Sequence, residues 1–228
     1  MKKILLSTGN DGQVDFAIKS RDSFLRHNYI DETVLISDNL SQPSINKLEA
    51  SGWNVCIIPP EKINDNYKSN VHPLGKLAKP FFVKCFLNTR QDLVSNERII
   101  IFSDPDILCQ RNINALIDNH IVCSNKVAFA RQYDIFSESP HLWTRLNRAK
   151  NDGQINSEQF FSIDTEINTG FFLGKGNDVM SVVSFWSSKM LSQSIKTYMN
   201  SSSYDKNDAW HDQDYFRYLI RVCNDFYR

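Results

Sequence analysis

Three observations predict an α/β fold with a mostly parallel central sheet and helices on both faces. Short, β-branched apolar runs alternate with segments whose apolar residues recur at helical spacing. Polar loops rich in Asp, Asn and Gly follow the runs rather than interrupt them. One run, Ile99-Ile100-Ile101-Phe102, is apolar without alternation, as a strand buried on both faces must be. Strand–helix alternation implies right-handed crossovers, and in such sheets ligands bind beyond the carboxyl ends of the strands.

Taken in order, Ile4 to Ser7 form a first strand, ended by the polar loop Thr8-Gly9-Asn10-Asp11-Gly12. Val14, Ala17, Ile18, Phe24 and Leu25 share one helical face. Thr33 to Ser37 make strand two, closed by Asp38-Asn39, and a short helix bearing Ile45 and Leu48 is ended by Gly52. Asn54 to Ile58 make strand three, after which Pro59-Pro60 break the chain. Residues 61–73 read as a long polar loop. Leu74, Leu77, Ala78, Phe81, Phe82, Cys85 and Phe86 trace the next helix, and Pro80, tolerated only in a first turn, sets its start nearer Ala78. Beyond strand four come a short helix at Leu116-Ile117, a strand over 126–130 and a mixed stretch over 131–160 suited to a second ligand. A strand opening with Asn168-Thr169-Gly170 and a helix through Val179, Val183 and Trp186 follow. A loop over 198–210 and a last helix capped by Asp212 complete the chain. No internal repeat or domain boundary stands out.

Directly after the strongest strand stand Asp104-Pro105-Asp106. In extended backbone, residues i and i+2 point to one side, so both carboxylates reach one point. Two acids held together repel unless a cation lies between them. Mg²⁺ and Mn²⁺ take carboxylate oxygens and complete their shells with phosphates and water. The chemistry implied is a metal bridge to a diphosphate. Asp-Pro-Asp is equally the composition of a solvated turn.

Lys and Arg total 26 against 26 Asp and Glu, and no long basic run appears, so nucleic acid and anionic membrane are not indicated as partners. The apolar start, Ile4-Leu5-Leu6, is too short for a signal-peptide core, and no window approaches the roughly 18 apolar residues of a spanning helix. The 5 cysteines, Cys56, Cys85, Cys109, Cys123 and Cys223, include no C-x-x-C pair and sit mostly in or beside apolar runs. A reduced, cytoplasmic protein is expected.

Asp104-Pro105-Asp106 after a buried strand, Asn168-Thr169-Gly170 opening a later strand and Asp212-Gln213-Asp214 opening a helix occur in that order. The set resembles GT-A glycosyltransferases, nearest to the retaining glycogenin-like and bacterial lipopolysaccharide galactosyltransferase-like group, from strand one to the last helix. The resemblance implies one domain over 1–228, with a nucleotide-sugar half over 1–110 and an acceptor-side half over 111–228. It implies a hexosyltransferase that uses a nucleotide-diphosphate sugar, usually a UDP-sugar, with Mn²⁺ or Mg²⁺. The acceptor would be a glycan, a lipid-linked sugar or a protein. Asp104 and Asp106 would hold the metal, with Ser103 and Asp104 beside the donor. Thr8, Gly9, Asn10 and Asp38 would contact base and ribose. Lys79, or failing it Lys84, matches the basic residue placed before the metal-binding strand. Asn168, Thr169 and Gly170 would line the sugar, and Asp212, Gln213 and Asp214 would form the catalytic cluster at its anomeric carbon.

One departure is plain. The family's third metal ligand, a His in a C-terminal motif, has no counterpart after Asp214. His211 is a candidate substitute or else a surface residue; either the chain is a short relative of the family, or water and donor oxygens complete the shell, and weak metal binding without donor is expected. A sugar-phosphate nucleotidyltransferase uses a similar sheet, but its loop after strand one is basic, and Thr8–Gly12 holds no Lys or Arg. A non-catalytic nucleotide-sugar binding module is the third reading.

Overall fold

A computed structural model describes residues 1–59, 79–122, 126–132 and 166–190. Its elements are β1 (Lys2–Thr8), α1 (Val14–His27), β2 (Glu32–Ser37), α2 (Gln42–Ala50) and β3 (Asn54–Ile57). They continue with α3 (Lys79–Thr89), β4 (Arg98–Ser103), α4 (Asn114–Leu116), β5 (Ala128–Gln132), β6 (Glu166–Lys175) and α5 (Gly176–Met190). A π-helical turn, Ile117–Val122, extends α4.

The strands form one mixed sheet in the order β3-β2-β1-β4-β6-β5. β1 pairs in parallel with β2 and β4, and β2 with β3. As expected, the sheet is mostly parallel, through β3, β2, β1 and β4; at its other edge β6 runs antiparallel to β4, and β5 antiparallel to β6. A strand's composition does not encode its direction.

Alternate residues of each central strand feed two apolar layers. Leu5, Leu35, Ile99, Ile101 and Leu173 pack against Val14, Ala17 and Phe24 of α1, Leu48 of α2, and Ile117 and Ile121. Ile4, Leu6, Ile36, Ile100, Phe102 and Phe172 face Phe82, Val83 and Phe86 of α3 and Val179, Val183 and Trp186 of α5. This period-two division explains why the run over 99–102 has no polar member: both sides of β4 are covered. Each such side chain removed from water stabilises the fold by about 1.5–3 kcal/mol.

Local chemistry ends the elements where the sequence expects. Gly52 adopts φ 91°, and the Trp53 and Gly52 N–H groups bond to the Leu48 and Glu49 carbonyls, closing α2 with a left-handed cap. Pro80 lies in the first turn of α3 as described, where its missing N–H costs nothing. β3 ends at Ile57, one residue early, and β5 lies two residues later than expected. The last helix, the loops over 61–73 and 198–210 and most of 131–160 lie outside the described residues.

Candidate functional site

The sheet order reverses between β1 and β4. From β1 the chain steps to β2 and β3 through α1 and α2 on one face, then returns to β4 through α3 on the other. Open α/β sheets bind ligands at such a switch point, outside the carboxyl ends of the strands. Leu6 is in register with Phe102, so Thr8 and Asp104, each two residues further on, flank the reversal. β6 is antiparallel, and it therefore brings its early residues, Asn168 to Gly170, to the same end.

Asp104 leaves the ladder in a fixed attitude. Its N–H donates to the Gly170 carbonyl at 2.6 Å, and its own carbonyl accepts from the Ile107 N–H at 3.1 Å. The second bond corrects the expectation of an extended Asp-Pro-Asp: Asp104 to Ile107 is a β-turn. Pro105 takes the position where its locked φ is favoured, with Asp at the first position. Both carboxylates thus lie in one four-residue turn at the switch point. Asp104 is half-buried and Asp106 exposed.

Asp104 directly follows β4, two residues after Phe102, and Lys79 of α3 reaches both. The first described residue of α3, Lys79, donates from Nζ to Asp104 Oδ2 at 3.0 Å and to the Thr169 carbonyl at 3.3 Å. Its ammonium stands 5.5 Å from the Phe102 ring centroid, within cation–π range. Lys79 is only 7% exposed, so the pair is largely shielded from solvent on the lysine side. Phe102 is itself stacked on Phe172 at 4.8 Å between centroids, which makes a rigid aromatic floor. Lys84, the other lysine considered, is half-buried further along α3.

Asn168-Thr169-Gly170 opens a bulge. Phe129 pairs with Phe172 but Ala130 with Asn168, so the intervening β6 residues loop out from β5 while still meeting β4. Asn168 Oδ1 accepts the Gly170 N–H at 2.7 Å and fixes the bend. Thr169 is fully buried and offers its carbonyl to Lys79. Ser103 faces the α1 side, is buried, and its hydroxyl donates to the Asp104 carbonyl.

Across β1, Thr8 is buried, and the Gly9 N–H donates to the Ile36 carbonyl, holding the loop close to β2. Asn10 caps a 3-10 turn over Asp11–Gln13, with reciprocal bonds to Gly12 and Gln13. Asp38 follows β2 and is half-buried. Sequence reasoning missed Asp11: its Oδ1 accepts the Ser41 N–H and hydroxyl, both at 3.0 Å, and ties the loop after β1 to the start of α2. Hydroxyls of Ser44 and Ser41 and the Ser41 N–H hold this carboxylate below the usual range. Also missed was Phe102 as the surface beneath Lys79. Its place two residues before Asp104 was the available signal. Asp212, Gln213, Asp214 and His211 lie outside the described residues.

Among the described residues no group of three or more His, Cys, Asp or Glu could hold a metal ion. Two carboxylates in one turn nonetheless fit a hard divalent cation that draws its remaining ligands from phosphate and water. Thiol and imidazole ligands are not part of this turn, which suits Mg²⁺ or Mn²⁺ rather than zinc. No described helix is long and apolar enough to cross a membrane.

No protein-family model matches the sequence, and no curated protein matches it. Solved structures do match it. Mouse xyloside xylosyltransferase 1 superposes with a TM-score of 0.60 at 14% identity, over 98% of this chain and 83% of that one. The galactosyltransferase LgtC, solved with donor and acceptor sugar analogues, gives 0.57 at 14% identity over 95% of this chain and 70% of its own. The bifunctional glycosyltransferase WbbM gives 0.58 at 12% identity, over 97% of this chain but 37% of that longer one. Identities this low speak for architecture alone, here a single mixed sheet with helices. The chain has the GT-A glycosyltransferase fold.

Proposed function

We propose that the chain is a glycosyltransferase that moves a sugar from a nucleotide-diphosphate sugar, a UDP-sugar, to an acceptor hydroxyl on a glycan, with retention. The observation that carries this reading is the placement of Asp104 and Asp106 in one turn at the switch point, with Lys79 fixed on Asp104. That is where the fold binds ligands, and the residue types are those a metal-bound diphosphate needs. LgtC, which shares the fold, binds donor and acceptor sugar analogues.

Asp104 and Asp106 hold Mn²⁺ or Mg²⁺. When bound, the ion supplies a Lewis acid for the negative charge that develops on the departing phosphate. Lys79 keeps the Asp104 carboxylate in one orientation and adds a fixed positive charge in a poorly solvated place, where it is worth more than in water. Thr8, Gly9, Asn10 and Asp38 take the base and ribose, and Asn168 and Gly170 line the sugar. Asp212, Gln213 and Asp214 serve the anomeric carbon. With retention the departing phosphate accepts the acceptor's proton, so no separate base is required. Residues 1–110 form the donor half and 111–228 the acceptor half. The proposed site of action is the cytoplasm.

The test is release of UDP from a panel of UDP-sugars with Mn²⁺ or Mg²⁺, with and without glycan acceptors. Turnover of one donor, abolished by chelation, is the expected result. UDP binding without turnover under any acceptor supports the binding module instead, and pyrophosphate-dependent exchange supports the nucleotidyltransferase.

A further inference from the structure

Lys79 is a buried cation seated on one of the two carboxylates that would ligate the divalent ion. Its ammonium is held from three sides, by Asp104 Oδ2, by the Thr169 carbonyl and by the Phe102 ring. Gly170 closes on the same carboxylate oxygen, because a Cβ there would lie 2.7 Å from Oδ2. Lys79 therefore cancels one of the two negative charges of the Asp104–Asp106 turn before any ligand arrives. Among the described residues, a divalent ion approaching this turn meets the Asp106 carboxylate beside an Asp104 already paired with a fixed ammonium, which repels it. A diphosphate reverses this balance, since it brings several negative charges and further oxygen ligands.

We infer that Lys79 is a built-in counter-cation that keeps the Asp104–Asp106 turn from taking a divalent ion until a nucleoside diphosphate is present. Ion and diphosphate are then taken up together, and the ion does not bind first. The inference rests on the donor-site reading above and adds an order of binding to it. It also gives the expected weak metal binding by the ligand-free chain a cause within the described residues.

The experiment is calorimetric titration of Mn²⁺ into the full chain, with and without UDP, for wild type, Lys79→Met and Lys79→Arg. Met keeps the length and removes the charge; Arg keeps the charge. Wild type is expected to bind Mn²⁺ weakly alone and more tightly with UDP. Lys79→Met is expected to bind Mn²⁺ alone about tenfold more tightly or better, with a smaller gain from UDP, and Lys79→Arg to behave as wild type. Equal affinities of wild type and Lys79→Met without UDP overturn the inference, as does tight Mn²⁺ binding by wild type alone. Where circular dichroism shows Lys79→Met unfolded, Lys79→Gln makes the same comparison. A wild type that binds neither UDP nor Mn²⁺ with UDP removes the donor-site reading, and this inference with it. A wild type that binds both, while the charge-removing variant gains nothing, removes the inference alone.

Discussion

Gly170 leaves room for Asp104: a Cβ at position 170 would approach Asp104 Oδ2 to 2.7 Å and Asn168 Oδ1 to 2.8 Å. Both are below any ordinary carbon–oxygen contact, and the Gly170 carbonyl accepts the Asp104 N–H from the same spot. The bulge in β6 thus sets the carboxylate's position in the turn after β4 by having no side chain there. Gly170→Ala should push the carboxylate off Lys79 while the sheet survives. A misplacement of about 1 Å at reacting groups costs on the order of a hundredfold, so donor turnover should fall by roughly that factor. The UDP-release assay beside a thermal melt checks it. Unchanged turnover in the folded variant would contradict the account that Gly170 positions Asp104 for the reaction.

A second glycine is structural only. Gly176 begins α5 against the chain after α3, and a Cβ there would meet the Leu93 carbonyl oxygen at 1.9 Å. The obstacle is backbone, which cannot turn aside as a side chain can. Gly176→Ala should cost about 3 kcal/mol or more. Gly12→Ala meets only Asn10 Oδ1 at 3.4 Å and should lie within about 0.5 kcal/mol of wild type. Urea denaturation midpoints of the two variants measure the contrast.

Arg90, just past α3, forks onto Glu32 at the start of β2 with bonds of 2.8 and 3.2 Å. It also bonds Asp92, at 2.9 and 3.0 Å. Asp92 first and Glu32 second stabilise its charge and raise its affinity for the proton further. The fork ties a helix end to the sheet at the end opposite the candidate site. Arg90→Met should lower stability by about 1–2 kcal/mol and leave UDP binding unchanged. Denaturation and UDP titration on the same variant separate the two effects.

The loop after β1 should be sensitive to acid. Asp11 titrates below the usual carboxylate value in the folded chain, so its ties to Ser44 and Ser41 add stability above about pH 4. That contribution is lost as pH falls through the lowered folded value. Asp11→Asn cannot lose it. The fall in melting temperature between pH 6 and pH 3 should therefore be smaller for Asp11→Asn than for wild type. Parallel curves would show that the bonds to Ser41 and Ser44 do not favour the ionised form.

Much of the central sheet was legible because burial on both faces leaves a compositional mark: Ile99 to Phe102 could hardly be anything but an inner strand. The left-handed end of α2 was legible too, since Gly52 is the residue such a cap wants. Direction of β6 was not legible, because a run such as Phe171-Phe172-Leu173 reads alike in either sense. The Asp104 turn was open to two readings, and Pro105 decided for the tight one once Ile107 could donate back to Asp104. The grip of Lys79 on Asp104 spans 25 residues of sequence, and the tie from Asp11 to Ser41 spans 30. Neither leaves a periodicity or a spacing to read. Each exists only because strand ends that are remote in sequence meet at one end of the sheet.

The most direct measurement is a crystal of the full chain soaked with UDP and Mn²⁺, with data collected for manganese anomalous scattering. An anomalous peak coordinated by the Asp104 and Asp106 carboxylates, with the diphosphate between it and the bulge at Gly170, is the expected result. Manganese or UDP bound elsewhere, with those two carboxylates touching neither, would contradict the account.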